Sequence, residues 1–312
     1  MKMDIGDPFN YQNLTLIPLA GSVKGEIDYI SATDAMDDFK LLVAETEEPV
    51  NIQEISVTST SDKMILLLDC EALIGARKNR VPNTTSLIPA KVHKLKIPVT
   101  CVEKDRWSYK SRKFSSGHYA PPMVRSSKSF SVYHNLRETG QLIGDQDQIW
   151  NDIKWLLDIL DVPSPTKAMN DIVNQRLLQL CDFVEELEYP PGTRGVAAVV
   201  NGKLAALDLF DKPDILENIW NRLITSYAVE ALSRPGETNH DMAALNVPAL
   251  LNHVSKAHWD AYPGVAIGRN MHFRDAAYFG QAHVFADVCV HLSVFPMKNP
   301  VDNRTVEPQL KN

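Results

Sequence analysis

The residues best suited to chemistry begin at the end of an apolar run in the first third of the chain. In LLLDCEALIGARKNRVPNTTSLIP, Asp69 and Glu71 stand two positions apart, so on a continuing strand both carboxylates face one side. Such a pair can work as general acid and base, bind a divalent cation through oxygen, or accept the hydroxyls of a sugar. Gly75 allows a tight turn or a close backbone approach. Beyond it, Arg80 offers a guanidinium to phosphate, and Asn79 and Asn83 offer amides. The same pattern equally fits a corner in which Asp69 and Glu71 are simply neutralised by Arg77, Lys78 and Arg80.

A second stretch, CVEKDRWSYKSRKFSSGHYAPP, interleaves cations with rings. Glu103 closes an expected strand and is a further candidate to activate water or contact a ribose. Arg106 with Trp107 and Tyr109 suits a clamp for a phosphate and a stacked base. His118 suits a general acid or base near neutral pH, although a lone loop histidine is more often merely exposed. Cys101, alternating in a strand, reads as an inert core residue. Asp69, Glu71, Glu103 and His118 are thus the catalytic candidates. Asn79, Arg80, Asn83, Arg106, Trp107 and Tyr109 are the ligand-binding ones, and none of them names a cofactor.

A third pattern lies in AHVFADVCVHLSVF, where Asp287, Cys289 and His291 alternate with apolar residues along one expected strand, with His272 on its neighbour. Such ligands could chelate zinc or iron, but spacing of two on a strand is also ordinary for a polar sheet face. No P-loop, dinucleotide glycine motif, nucleophile elbow, HExxH or EF-hand loop occurs, which counts against the common nucleotide hydrolases and dehydrogenases.

Charge is distributed unevenly around these residues. From Arg77 to Arg137 there are 14 Lys and Arg against only Glu103 and Asp105, a balance of +12 within a chain of net charge −7. This segment either pairs with the acidic remainder or presents a basic face to an anion. The overall acidity argues against a protein that coats nucleic acid with its whole surface. No apolar run reaches the length of a membrane span, and the acids near Met1 do not suit an export signal, so a cytoplasmic, non-membrane protein is expected. Four cysteines without a CxxC pair agree with reduced thiols.

The elements that must position these residues read as α+β. The segments NLTLIPL, LLVAE, NIQEISVTST and KMILLLD suggest strands, and DYISATDAMDDF suggests a brief helix capped near Ser31 or Thr33. Residues 104–144 lack apolar periodicity and read as a long loop system with short helices at most. Residues 145–160 show one apolar helical face, and a second helix is expected from after PSPT to Leu187. Asn201-Gly202 between VAAVV and LAALDLF marks a β-hairpin. Pro213 suits the first turn of a following helix capped by Asp211 or Asp214, residues 233–247 an exposed linker, and Gly264–Phe273 and Ala282–Phe295 two more strands. The expected architecture is a mixed or antiparallel sheet, or sheets, in a β-rich portion 1–144. Helices and hairpins at 145–296 pack on it as one compact unit, and a polar tail follows at 297–312.

LLLDCEALIGARKNRVPNTTSLIPA, IPVTCVEKDRWSYKSRKFSSGHYAPP, SPTKAMND and AAVVNGKLAALDLFD together resemble the ARPP domain family, the domain associated with ADP-ribosylglycohydrolase and rhodanese-phosphatase proteins. The resemblance runs from about residue 12 to residue 295 and is densest over 66–122. It implies a role in NAD-consuming or ADP-ribose pathways and carries no catalytic residues with it. Two phosphates, an adenine and two riboses match the cations, rings, acids and amides of the two stretches. The expectation is a nucleotide-type anion such as ADP-ribose bound between the 69–83 turn and the 103–118 loop. Were the protein an enzyme, it would hydrolyse a phosphoester or N-glycosidic bond. The alternatives are a non-catalytic module for a modified protein or single-stranded nucleic acid, and a metal-dependent hydrolase.

Overall fold

The computed structural model describes residues 3–21, 27–47, 50–235 and 246–297, and among these the chain is α+β, with 18 strands and 7 helices. No helix among them is long and apolar enough to cross a membrane. Twelve strands precede residue 120: β1 (Asp4–Ile5), β2 (Phe9–Tyr11), β3 (Leu14–Ala20), β4 (Tyr29–Ser31), β5 (Leu41–Glu45), β6 (Glu54–Ser59), β7 (Met64–Leu67), β8 (Glu71–Gly75), β9 (Arg80–Pro82), β10 (Ser86–Ile88), β11 (Leu95–Cys101) and β12 (Phe114–Tyr119). Helix α1 (Ala32–Asp37) interrupts them, with Ser31 as its N-cap accepting from the Asp34 N–H at 3.1 Å.

Six of these strands form one antiparallel sheet in the order β12-β8-β9-β11-β6-β5. A bridge between Ala44 and Lys113 brings its two outer strands together, so the sheet curls into a small barrel. Val43, Ile55, Val57, Leu73, Ile97 and Phe114 fill its core. A three-stranded sheet, β10-β7-β4, lies beside it and holds the one parallel pairing among the described residues, β4 with β7. The apolar KMILLLD run is its central strand, as continuous apolarity requires.

The second half begins with α2 (Pro122–Thr139), α3 (Gln146–Ile159), α4 (Asn170–Gln175) and α5 (Leu177–Glu186), followed by β13 (Gly195–Val200) and β14 (Lys203–Phe210). These two strands are the hairpin expected at Asn201-Gly202, whose φ angles of 50° and 74° fit a two-residue turn. Next come α6 (Pro213–Leu232), α7 (Val247–Lys256), β15 (Asp260–Pro263), β16 (Arg269–Arg274), β17 (Tyr278–Phe285) and β18 (Val288–Pro296). A nine-stranded antiparallel sheet unites both halves in the order β1-β3-β13-β14-β18-β17-β16-β15, with β2 also on β3. Helices α2 and α6 pack against this sheet. Apolar residues of α7 (Val247, Leu250, Val254) join Ile17, Val199 and Leu292 of the sheet in a separate core cluster.

Four expectations are corrected. Residues 104–144 contain strand β12 and the 18-residue helix α2 rather than a long loop. The helix escaped notice because much of its buried face is polar: Arg125, Ser126, Lys128 and Ser129 point inward. Ala282–Phe295 is a hairpin, turning at Ala286 and Asp287 with φ of 48° and 61°, so Asp287 does not continue a strand toward Cys289 and His291. The helix expected to end at Leu187 breaks at Arg176 into α4 and α5, and α6 starts at Pro213 with Lys212 at its N-cap and no side-chain cap bond from Asp211 or Asp214. Residues 236–245 of the expected linker and 298–312 of the expected tail lie outside the described residues.

The polar face of α2 is used in a buried charge network. Arg125 donates to both oxygens of Asp208 on β14, at 2.9 and 2.6 Å, and to Ser293 on β18 at 2.9 Å. Tyr227 of α6 also donates to Asp208. Lys128 donates to the carboxylate of Asp69 at 3.1 Å, to the Asp69 carbonyl, and to the Pro82 carbonyl at 2.7 Å. Burial alone would raise both carboxyls, but Lys128 and Arg125 hold Asp69 below its usual range, and Arg125 with His291 holds Asp208 far below it. Removing one partner of such a pair strands a buried charge at a cost of about 3–5 kcal/mol. Lys128→Met is expected to lower the unfolding free energy by about that much in urea denaturation. Lys154→Met, at the exposed pair with Asp158, should leave the curve nearly unchanged.

Candidate functional site

The turn after β7 separates the two carboxylates that sequence spacing put together. The strand ends at Leu67, and the Glu71 N–H closes a turn on the Leu68 carbonyl at 3.2 Å, so Asp69 and Glu71 leave it in different directions. Asp69 enters the network under α2, where Gln281 also donates to it at 2.6 Å. Asn83 supports the backbone nearby, donating to the Leu142 carbonyl at 2.7 Å and accepting from Thr100 at 2.6 Å.

Glu71 instead starts β8 beside α1, β12 and α6. Its Oε1 accepts from Thr33 at 2.9 Å and Ser116 at 2.7 Å, and Arg222 donates to both hydroxyls and to the Gly117 carbonyl. The two hydroxyls therefore bridge an Arg–Glu pair that does not touch directly. Burial pushes the Glu71 carboxyl up despite the bonds from Ser116 and Thr33. His118, half-buried on β12, is pushed down by burial and by Arg222.

Arg80 and Arg106 are both enclosed, which corrects the expectation that they present free guanidinium groups to phosphate. Arg80 is fully buried, with Glu45 at 3.2 Å and Cys101 Sγ at 2.8 Å. Arg106 forks onto Glu103 at 2.8 and 2.6 Å and donates to the carbonyls of Gly75, Ala76 and Ser108 and to Asn79 Oδ1. Burial would raise Glu103, but the bonds from Arg106 and Thr166 hold it below its usual range. Gly75, at φ 128°, is where this packing needs glycine, because a Cβ there would stand 2.7 Å from the Lys113 carbonyl oxygen. Ala76 beside it takes a φ of 42°, and its carbonyl is one of the groups Arg106 holds.

This staple of Asn79, Glu103 and Arg106 supports an outer layer that is open to solvent. Trp107 and Tyr109 are 51% and 49% exposed. The Arg77 guanidinium lies 5.4 Å from the Trp107 ring centre and 4.7 Å from that of Tyr109. Beneath it, the buried Lys78 donates to the Lys104 carbonyl and approaches both Trp107 and Trp150 of α3, and Lys104 lies 5.2 Å from Trp150. Lys110, Arg112 and Lys113 are exposed on the same loop. Of the predicted site residues, the structure gathers Asn79, Glu103, Arg106, Trp107 and Tyr109. It leaves Asp69, Asn83 and Arg80 in separate interiors, and Glu71 and His118 together at the far end of β8.

Among the described residues no three of His, Cys, Asp and Glu come close enough to hold a metal ion. Burial pushes the Cys289 thiol up to about 12. The participants that sequence reading missed are Arg77, Lys104 and Trp150 at the open face and Thr33, Ser116 and Arg222 around Glu71. Arg77 and Lys104 lay in the basic run, but nothing local marked Trp150 of α3 or Arg222 of α6 as their neighbours in space.

These features define an α+β protein with a stapled, cationic and aromatic surface joined to a sheet through buried ion pairs. Residues 2–295 match the family described as the ARG and Rhodanese-Phosphatase-superfamily-associated Protein domain, and the chain belongs to it. No curated protein and no solved structure matches the chain.

Two outcomes follow from the geometry. Arg106→Lys keeps the charge but loses the planar fork, so trypsin should cut within 104–113 faster than in the parent protein, as read by mass spectrometry. Glu71, raised in the folded state, binds its proton more tightly there than in the unfolded chain. Its ionisation therefore costs stability as pH rises from about 4.5 through its folded value. Glu71→Gln, whose carbonyl can still accept from Thr33 and Ser116, should flatten that decline in thermal melts and equal or exceed the parent at pH 7.

Proposed function

We propose that the protein binds a nucleotide-type anion such as ADP-ribose on the face formed by Arg77, Lys104, Trp107, Tyr109 and Trp150. The observation that carries this reading is the pair of half-exposed rings, Trp107 and Tyr109, each with a cation against it and both fixed by the enclosed Arg106 fork. Rings of this kind stack a base, and cations beside them meet its phosphates. A staple that is already satisfied internally costs the ligand little ordering entropy. The family name, with its link to ADP-ribosylglycohydrolase and rhodanese-phosphatase proteins, supports an ADP-ribose pathway.

The reading is of binding rather than hydrolysis. Glu103, the carboxylate beneath the face, is engaged by Arg106 and Thr166. The openness of the face and the exposed Lys110, Arg112 and Lys113 favour one second reading, a single strand of nucleic acid laid along it.

Calorimetry distinguishes the two. ADP-ribose is expected to bind with a shallow dependence on salt, and Trp107→Ala to weaken it roughly five- to 150-fold, the loss of one stacking contact of about 1–3 kcal/mol. Tighter binding of an oligonucleotide, falling steeply with salt, would select the second reading. Absence of heat with either ligand refutes both.

A further inference from the structure

Glu71 and its neighbours at the far end of β8 take no part in the Trp107 face, and their arrangement is that of an activated hydroxyl. Strand β12 passes them through a bulge. Ser116 pairs with Leu73 and Tyr119 with Glu71, so Gly117 and His118 together oppose Ala72. Glycine is needed for this close passage, because a Cβ at 117 would stand 2.5 Å from Ile74 Cγ1 and 3.0 Å from the Ala72 carbonyl oxygen.

Ser116, half-buried beside the bulge, donates to Glu71 Oε1 at 2.7 Å, and Thr33 donates to the same oxygen at 2.9 Å. Arg222 of α6 donates through one terminal nitrogen to both hydroxyls and to the Gly117 carbonyl at 3.3 Å. With its proton on Glu71 and one lone pair on Arg222, the Ser116 Oγ keeps a second lone pair. A cation against a hydroxyl oxygen favours the alkoxide, and a carboxylate raised by burial takes a proton more readily than an exposed one. Thr33 makes the same two contacts but is only 9% exposed, so Ser116 is the reachable hydroxyl. The remaining nitrogens of Arg222, Nε and Nη2, make no hydrogen bond among the described residues and are not sealed from solvent. They are donors for an oxygen that gains negative charge beside Ser116. Two residues along β12, His118 lines a small apolar hollow with Met169 and Val229, which suits a short acyl chain.

We propose that Ser116 is a nucleophile that accepts an acyl group from small carboxylic esters, with Glu71 as its base. The Ser116 Oγ bonds to the carbonyl carbon as Glu71 takes the hydroxyl proton, and Nε and Nη2 of Arg222 meet the oxyanion. The bond from that carbon to the leaving oxygen then breaks, and Glu71 passes the proton to this oxygen. An acyl-serine and an alcohol result, with no further reactant. The step does not rest on the reading given for the Trp107 face.

The probe is p-nitrophenyl acetate, added to the full chain. An initial burst of nitrophenolate is expected, with the acetyl group located on Ser116 by mass spectrometry after acid quenching. Glu71→Gln, which keeps an acceptor for both hydroxyls and so the fold, should slow the burst about 100-fold or more. Ser116→Ala should abolish it. Ser115→Ala, at the exposed neighbour that bonds the Ile74 carbonyl, should leave it unchanged. Acetylation confined to lysines or other side chains, or acetylation of Ser116 at a rate that Glu71→Gln leaves intact, overturns the proposal.

Discussion

The two-pronged contact between Arg125 and Asp208 is the constraint on which the other elements depend. Asp208 sits on β14, within the wide sheet, and its oxygens also receive Tyr227 from α6 and Ser293 from β18. Arg125 comes from α2, whose next turn supplies Lys128 to Asp69, at the turn leading into the barrel. One chain of ions and hydroxyls thus ties sheet, two helices and barrel. The desolvation of these groups is severe, and it is offset only because nearly every donor has an acceptor at good distance. Arg125 Nε is the exception, and its guanidinium also lies 5.3 Å from the Phe295 ring centre.

The same logic recurs at smaller scale under the open face. Arg106 gathers carbonyls from Gly75, Ala76 and Ser108 together with Glu103, so a polar, irregular segment is held as firmly as a regular one. Order is concentrated beneath Trp107 and Tyr109, and exposure above them. An aromatic pair on an untethered loop would have to be immobilised by whatever bound it, whereas here that entropy is lost on folding.

Much of the fold was legible because its local signals agreed. The Ser31 cap, the Asn201-Gly202 turn, the unbroken apolarity of 63–69 and the apolar stripe of α3 each match the element found. Helix α2 was not legible, since hydrophobic periodicity cannot report a helix that buries Arg125 and Lys128. The turn at Ala286 and Asp287 lacked glycine or Asn-Gly and so resembled strand. At the site, the rings beside Arg106 were readable as neighbours in sequence, but the engagement of Arg106 by Glu103 was not, since both were read as facing a ligand. The divergence of Asp69 from Glu71 was set by a backbone turn at Leu68 that spacing alone does not encode. Which cations are enclosed and which are open also depends on distant partners such as Glu45 and Thr166, invisible to any local window.

A sheet of nine strands has margins, and unpaired backbone at a margin invites another chain to add itself. Here one margin is β15, only four residues long, with Asp260 at its start and Pro263, which has no N–H to offer, at its end. The other is shared by the two-residue β1 and the three-residue β2, both paired with β3. The barrel, drawn together through Ala44 and Lys113, hides most of its own borders. The margins of these two sheets therefore give little purchase to strand-by-strand templating.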